Sequence, residues 1–366
     1  MCLEAEAMIN YDIVVIGGGS AGMAAALSAK ENGVSTVLLV ERADVLGGIL
    51  NQCIHSGFGL VYFGEELTGP QYAERFVEKV KASDIEVLTS ASVISLRPNG
   101  RALVSGEKCG LVEIEAKAFI LATGCREIPI GTLPVTGTRP SGIFAAGMAQ
   151  NMVNLGGYDI GNRFVILGSG DVGLIMARQL KLLNKDVLAV IEKGDKCGGL
   201  ERNRINCLEK YNVPLRERCT ISEIHGSGRI TGVTVLDLIT GAKDLLDCDT
   251  LITSIGLVPE RELSEEASLV GKTPDWLFLC GNSCYVHDAV DDVTIEAERI
   301  GRFAAQFVLK NELQEDTELN NSAEEKAEES ALFCIGCPKA CPLTATETGY
   351  LGAICGREDP IPAIKP

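Results

Sequence analysis

Two stretches of the chain carry one pattern, an apolar run closed by G-x-G-x-x-G that leads into a helix-like segment. They are residues 11–22, with Gly17, Gly19 and Gly22, and residues 163–173, with Gly168, Gly170 and Gly173. A second apolar run follows each and ends in an acid, Glu41 or Glu192, and the distance from first glycine to acid is 24 residues both times. A single Gly-rich turn says little. Strand, three glycines, helix, strand and terminal acid, repeated with one spacing, describe the opening βαβ unit of a dinucleotide-binding fold. The first glycine allows the tight turn, the second admits a pyrophosphate to the backbone, and the third lets helix pack on strand. Free N–H groups at the helix start favour phosphate. Glu41 and Glu192 are placed to accept hydrogen bonds from adenosine ribose hydroxyls.

A matching apolar strand comes later in each copy, ending at Ala122-Thr123-Gly124 in the first and near Gly256 in the second. The chain then reaches another strand end at Gly281-Asn282 and a helical stretch over about 294–310. This order predicts an α/β chain of two Rossmann-like dinucleotide-binding domains, one inserted in the other. Residues 10–135 and 250–310 form the first and 140–250 the second. Beyond them, 311–330 reads as a solvated acidic linker with eight carboxylates against Lys326, and 331–366 as a short Cys-rich tail.

With 50 acidic against 33 basic residues the net charge is −17, which argues against nucleic acid and anionic membrane surfaces as partners. The first ten residues carry no Lys or Arg, so no secretory signal is expected, and the apolar runs are too short for membrane insertion. The expected location is the cytoplasm. A chain of 366 residues builds a core without disulfide staples, so its 14 cysteines are expected to be free, metal-bound or catalytic.

The paired glycine units, Ala122-Thr123-Gly124 and Gly281-Asn282 together resemble the two-domain flavoproteins related to the pyridine nucleotide-disulfide oxidoreductases, over residues 10–310. The resemblance implies FAD on the first unit, NAD(P)H on the second, and a late Gly-Asp on the ribityl chain of the flavin. Here Asn282 replaces that Asp. Three further stretches, 47–60, 63–70 and 286–298, resemble the branch of glycerol-3-phosphate dehydrogenase-like flavoproteins and the alpha subunits of dye-linked amino acid and opine dehydrogenases.

The departures bear on function. Disulfide reductases carry C-x4-C after the first unit or C-x2-C in the second domain. Here Cys53 has no partner at Gly48 or Phe58, and 141–148 contains no cysteine. The large C-terminal dimerisation domain of the C-x4-C enzymes is not expected either, so a disulfide substrate is not expected. Cys53 is then either a thiolate that forms a sulfenic acid, as in single-cysteine NADH oxidases and peroxidases, or a small side chain lining the flavin pocket. His55 and His287 are candidates to hydrogen-bond the flavin or move a proton, or else to satisfy neighbouring backbone. His225 looks incidental. Asp292 or Thr294 is expected to cap the last helix, with Val293 beside them, and so aim its N–H groups at the flavin.

In the tail, Cys334, Cys337, Cys341 and Cys355 are spaced x2, x3 and x13, a set that can hold a [4Fe–4S] cluster or, alternatively, zinc. The expected function is an FAD-dependent oxidoreductase that exchanges a hydride with NAD(H) and passes electrons to or from a partner, a dehydrogenase subunit or another redox protein. The alternatives are a self-contained NADH oxidase or peroxidase using Cys53, and an electron-transfer subunit inactive by itself.

Overall fold

The computed structural model describes residues 9–269 and 271–320, with side chains through residue 311. The chain divides into two compact units: 9–51, 56–125 and 259–320 form the first, 52–55 and 126–258 the second.

In the first unit the buried run of Ile9–Ile16 lies at the centre of a parallel sheet, because a strand covered on both faces must be apolar on both. Val37–Val40 pairs on one side and Gly110–Leu121 on the other, in the register Ile13↔Val37 and Ile13↔Ala118. Glu86–Leu88 extends the sheet beyond Val37–Val40, and Leu277–Leu279 pairs with Gly110–Leu121. Two antiparallel strands, Ala91–Arg97 and Arg101–Gly106, complete it.

Helix α1 (Ser20–Glu31) follows the first glycine loop and buries Ala21, Ala24, Ala25, Ala26 and Ala29. These small side chains let the last long helix approach closely: a Cβ on Gly301 would stand 2.2 Å from the Ala25 carbonyl oxygen. Helix α2 (Gly69–Ala82) starts with a capping box between Thr68 and Gln71. It buries Tyr72 and Phe76 against Tyr62 and Phe63, with ring centroids 5.0–6.4 Å apart between the two pairs.

The second unit has a five-stranded parallel sheet in the order Ile143–Ala145, Thr250–Thr253, Arg163–Leu167, Asp186–Ile191, Leu215–Arg216. Helices α3 (Ala146–Asn154) and α4 (Asp171–Leu182) pack on it, and α4 opens at the second glycine loop. A smaller sheet joins Thr136–Gly137, Cys219–Gly226, Ile230–Asp237 and Lys243–Leu246. The short helix α5 (Glu201–Asn203) lies in this unit and α6 (Glu262–Ala267) in the first.

Three sequence expectations are corrected. The strand Thr250–Thr253 belongs to the second sheet, not the first domain, because its backbone pairs in parallel with Arg163–Leu167, Val165 opposite Leu251. The boundary accordingly falls after residue 258. The last helix, α7, runs Val290–Asn320, so it starts four residues earlier than expected and takes in the first ten residues of the expected linker. Their Glu, Leu and Gln are good helix formers, and a helix already nucleated by packing extends at little cost. No described helix is long and apolar enough to cross a membrane.

Candidate dinucleotide sites

In the first glycine loop, Gly17 has φ +110°, and a Cβ there would stand 2.4 Å from the Ala122 carbonyl oxygen. Gly22 is tighter, with its missing Cβ 1.7 Å from the oxygen of Gly17, whereas nothing lies within 4 Å of the Cβ position of Gly19. Two glycines are thus required by close packing, and the third leaves open space beside exposed backbone. That is the shape a pyrophosphate needs. Gly168 and Gly173 repeat the packing against Ser254, whose Oγ also accepts from the Gly173 N–H at 3.2 Å. Gly170 is less open than Gly19, with Ser254 Oγ 3.3 Å from its Cβ position.

Both acids hold their own loops. Glu41 accepts from the N–H of Gly18 at 2.6 Å and of Ala43 at 2.7 Å. Glu192 accepts from the N–H of Ser169 at 3.0 Å and of Gly194 at 2.7 Å, and also from the Ser169 hydroxyl. A carboxylate has about four acceptor positions, so each retains capacity for ribose hydroxyls.

The first unit brings the distant motifs together. Ala122 meets Gly17, and the Cβ position of Gly281 (φ +63°) lies 2.8 Å from Ala21 and 3.2 Å from Val293. Thr123 Oγ1 donates to the Glu260 carbonyl at 3.1 Å, and Gly124 O accepts from the Glu260 N–H at 3.0 Å. Asn282 Oδ1 accepts from the His287 N–H at 2.9 Å and faces its ring Nδ1 at 3.2 Å. His287 is nearly buried and pairs through Nε2 with the Glu296 carboxylate. These residue types fit a dinucleotide carrying a sugar-like chain: open glycine backbone, a carboxylate with acceptor capacity left and a side-chain amide.

The expected helix cap is corrected. Because α7 begins at Val290, Asp292 and Thr294 lie inside its first turns. Asp292 is exposed, and the buried Thr294 hydroxyl is 2.7 Å from that of Tyr72. The working acid is Asp291, which sequence reasoning passed over: it takes the N–H of Gly59 at 3.2 Å and of Val61 at 2.8 Å. Tyr62 donates to Glu298 in the same loop. The stretches 47–60, 63–70 and 286–298 therefore meet in part, through loop 59–63 and the start of α7.

Cys53 and His55 sit in a short segment that belongs to the second unit. Gln52 donates to the Gly147 carbonyl at 2.7 Å and Asn154 donates to the Gln52 carbonyl at 2.7 Å, while Cys53 Sγ is 3.6 Å from Gln150 Oε1. Burial pushes the Cys53 thiol up to about 12. At neutral pH it is a thiol, which is the wrong form for a nucleophile. Cys280, fully buried, is raised as well, by burial and by the Glu296 charge.

No cluster of three or more His, Cys, Asp or Glu able to hold a metal occurs among the described residues. Cys334, Cys337, Cys341 and Cys355 lie outside them.

The pyridine nucleotide-disulphide oxidoreductase family model matches residues 11–273. One component of the alkyl hydroperoxide reductase of Staphylococcus aureus is 25% identical over 303 residues, 80% of this chain and 55% of that protein. Hydrogen cyanide synthase subunit HcnB of Pseudomonas aeruginosa is 27% identical over 291 residues, 71% of this chain and 60% of that protein. The chain thus spans little more than half the length of these relatives. The crystal structure of T. acidophilum thioredoxin reductase superposes with a TM-score of 0.64 at 20% identity, over 83% of this chain and 99% of that one, a likeness of fold.

Proposed function

The chain belongs to the pyridine nucleotide-disulphide oxidoreductase family, a family of flavin-dependent NAD(P)H oxidoreductases, and from that premise we propose how its two units divide the work. The first holds FAD, with Gly17, Gly19 and Gly22 at the pyrophosphate, Glu41 at the adenosine ribose and Asn282 at the ribityl chain. The second holds NADH, with Gly168, Gly170, Gly173 and Glu192 in the matching places. Bound flavin supplies two-electron chemistry toward the nicotinamide and can release electrons singly. The chain's own task is to orient both dinucleotides and to choose between nicotinamides.

The observation that carries this reading is the duplicated carboxylate grip on a glycine loop, with Glu41 on Gly18 and Glu192 on Ser169. Electrons pass to or from a redox partner; a dehydrogenase subunit is the reading favoured by the resemblance of 47–60 and 286–298 to dehydrogenase alpha subunits. HcnB, itself a subunit, points the same way. If the four tail cysteines hold a [4Fe–4S] cluster, it is the one-electron exit; zinc there would be structural. The oxidase reading through Cys53 is disfavoured by desolvation of this half-buried thiol, which raises its pKa. An anaerobic NADH titration of the purified protein tests the proposal. Flavin absorbance should bleach stoichiometrically and the released cofactor should be FAD. FMN alone, or no bleaching, would refute it.

A further inference from the structure

We propose that His287 and Glu296 form a buried proton-holding pair whose task is to lock the Asn282 amide with its oxygen on His287 and its Nδ2 as the hydrogen-bond donor. The argument starts from the amide. The backbone N–H of His287 points at the Asn282 side chain at 2.9 Å. A donor there requires the amide oxygen, since an amide NH2 would set two donors against each other. The oxygen accepts only, so the ring Nδ1 that lies 3.2 Å from it must carry a hydrogen.

The other ring nitrogen settles the proton count. Nε2 faces Glu296 Oε2, and neither atom has another hydrogen-bond partner among the described residues. A neutral imidazole protonated at Nδ1 would turn the Nε2 lone pair on a carboxylate oxygen, and the pair is only 4% and 9% exposed. A proton on Nε2 removes that repulsion, donates to Oε2 and gives an ion pair of zero net charge, which away from water is less costly than a lone buried carboxylate. The remaining neighbours support it. Glu296 Oε1 accepts from the Gly281 N–H at 3.3 Å, and the Tyr285 ring covers the imidazole at a centroid distance of 4.0 Å. Asn282 Nδ2 donates one of its two hydrogens to Cys125 Sγ at 3.7 Å, which fixes the same amide orientation and leaves the other hydrogen to offer, and Cys280, held as a thiol, adds no charge.

The consequence is a reversal of hydrogen-bond sense at this position. An Asp accepts from a ligand hydroxyl, whereas this Asn spends its oxygen on His287 and offers N–H. The link to a ribityl hydroxyl rests on the FAD reading; the protonation of the pair does not.

The chain has three histidines, His55, His225 and His287, so ring-nitrogen NMR of the histidine-labelled protein resolves each, with His287→Gln as the assignment variant. In the parent protein the His287 ring should show two protonated nitrogens. Glu296→Gln should convert it to one, while Glu298→Gln, which touches only the Tyr62 bond, should leave it unchanged. A His287 ring with a single protonated nitrogen in the parent protein overturns the proposal, and so does a Glu296→Gln variant that keeps both. Should Glu296→Gln fail to fold, the parent spectrum decides alone. FAD content is measured on the same samples: absent FAD refutes the cofactor assignment and leaves the NMR answer standing.

Discussion

Glu41 and Glu192 make the same pair of contacts 151 positions apart in the sequence, each accepting from the residue after the first loop glycine, Gly18 or Ser169, and from the residue two beyond itself, Ala43 or Gly194. The repeat is therefore one of hydrogen bonds and not only of residue types. In the proposed function its second copy is the group that sets nucleotide choice. A carboxylate at Glu192 should repel a 2′-phosphate and accept from a 2′-hydroxyl, so NADH should be preferred. Glu192→Gln should lower kcat/KM for NADH by roughly tenfold or more, from losing a charge-assisted hydrogen bond, and raise the relative rate with NADPH. Steady-state kinetics with both nucleotides check this, and equal kcat/KM in the parent would contradict it.

Gly19 and Gly22 should respond in opposite ways to one added methyl. Gly22→Ala drives a Cβ into the Gly17 oxygen, 1.7 Å away, so the first unit should lose several kcal/mol or fail to fold. Gly19→Ala meets nothing within 4 Å and should leave the unfolding temperature of the cofactor-free protein nearly unchanged while weakening FAD binding. Thermal unfolding and FAD titration on both variants separate the outcomes.

Cys53 should be chemically quiet. With its pKa pushed up to about 12, the thiolate is roughly one part in 10⁵ at pH 7, so alkylation should be slow at neutral pH and speed up as pH rises toward that value. Cys53→Ser should retain NADH-driven flavin reduction. A variant that lost NADH oxidation altogether would restore the peroxidase reading.

Asn282→Asp exchanges a donor for an acceptor and places a second carboxylate on the His287 ring, whose N–H and Nδ1 already face this side chain. FAD affinity should fall, by about tenfold if one hydrogen bond of ordinary strength is lost. Equilibrium dialysis of the cofactor-free protein measures it.

If Cys334, Cys337, Cys341 and Cys355 hold a cluster as proposed, Cys337→Ala should abolish iron binding and leave FAD content and NADH-driven flavin reduction intact, with slower delivery to one-electron acceptors. Iron and acid-labile sulfide analysis, beside a flavin spectrum, reads both. Loss of FAD in the same variant would make the tail part of the flavin unit.

The sequence by itself determined the two glycine units, their terminal acids and the alternation of strand and helix, because these depend on local turn geometry and on apolar runs that must be buried. It also marked Ala122, Gly281 and Asn282. Only the tertiary structure decided the rest. That Thr250–Thr253 pairs with Arg163–Leu167 is a matter of sheet edge, and an apolar strand fits either sheet by composition. That Asp291 and not Asp292 holds loop 59–61 follows from which face of α7 turns inward, Asp291 being buried and Asp292 exposed, and that choice is made by packing. Cys53 and the Glu296 partner of His287 were hidden for a common reason. A thiol's acidity and an imidazole's proton are set by what surrounds them in space, and those neighbours come from 97 positions away for Cys53 and from the inner face of a helix for His287.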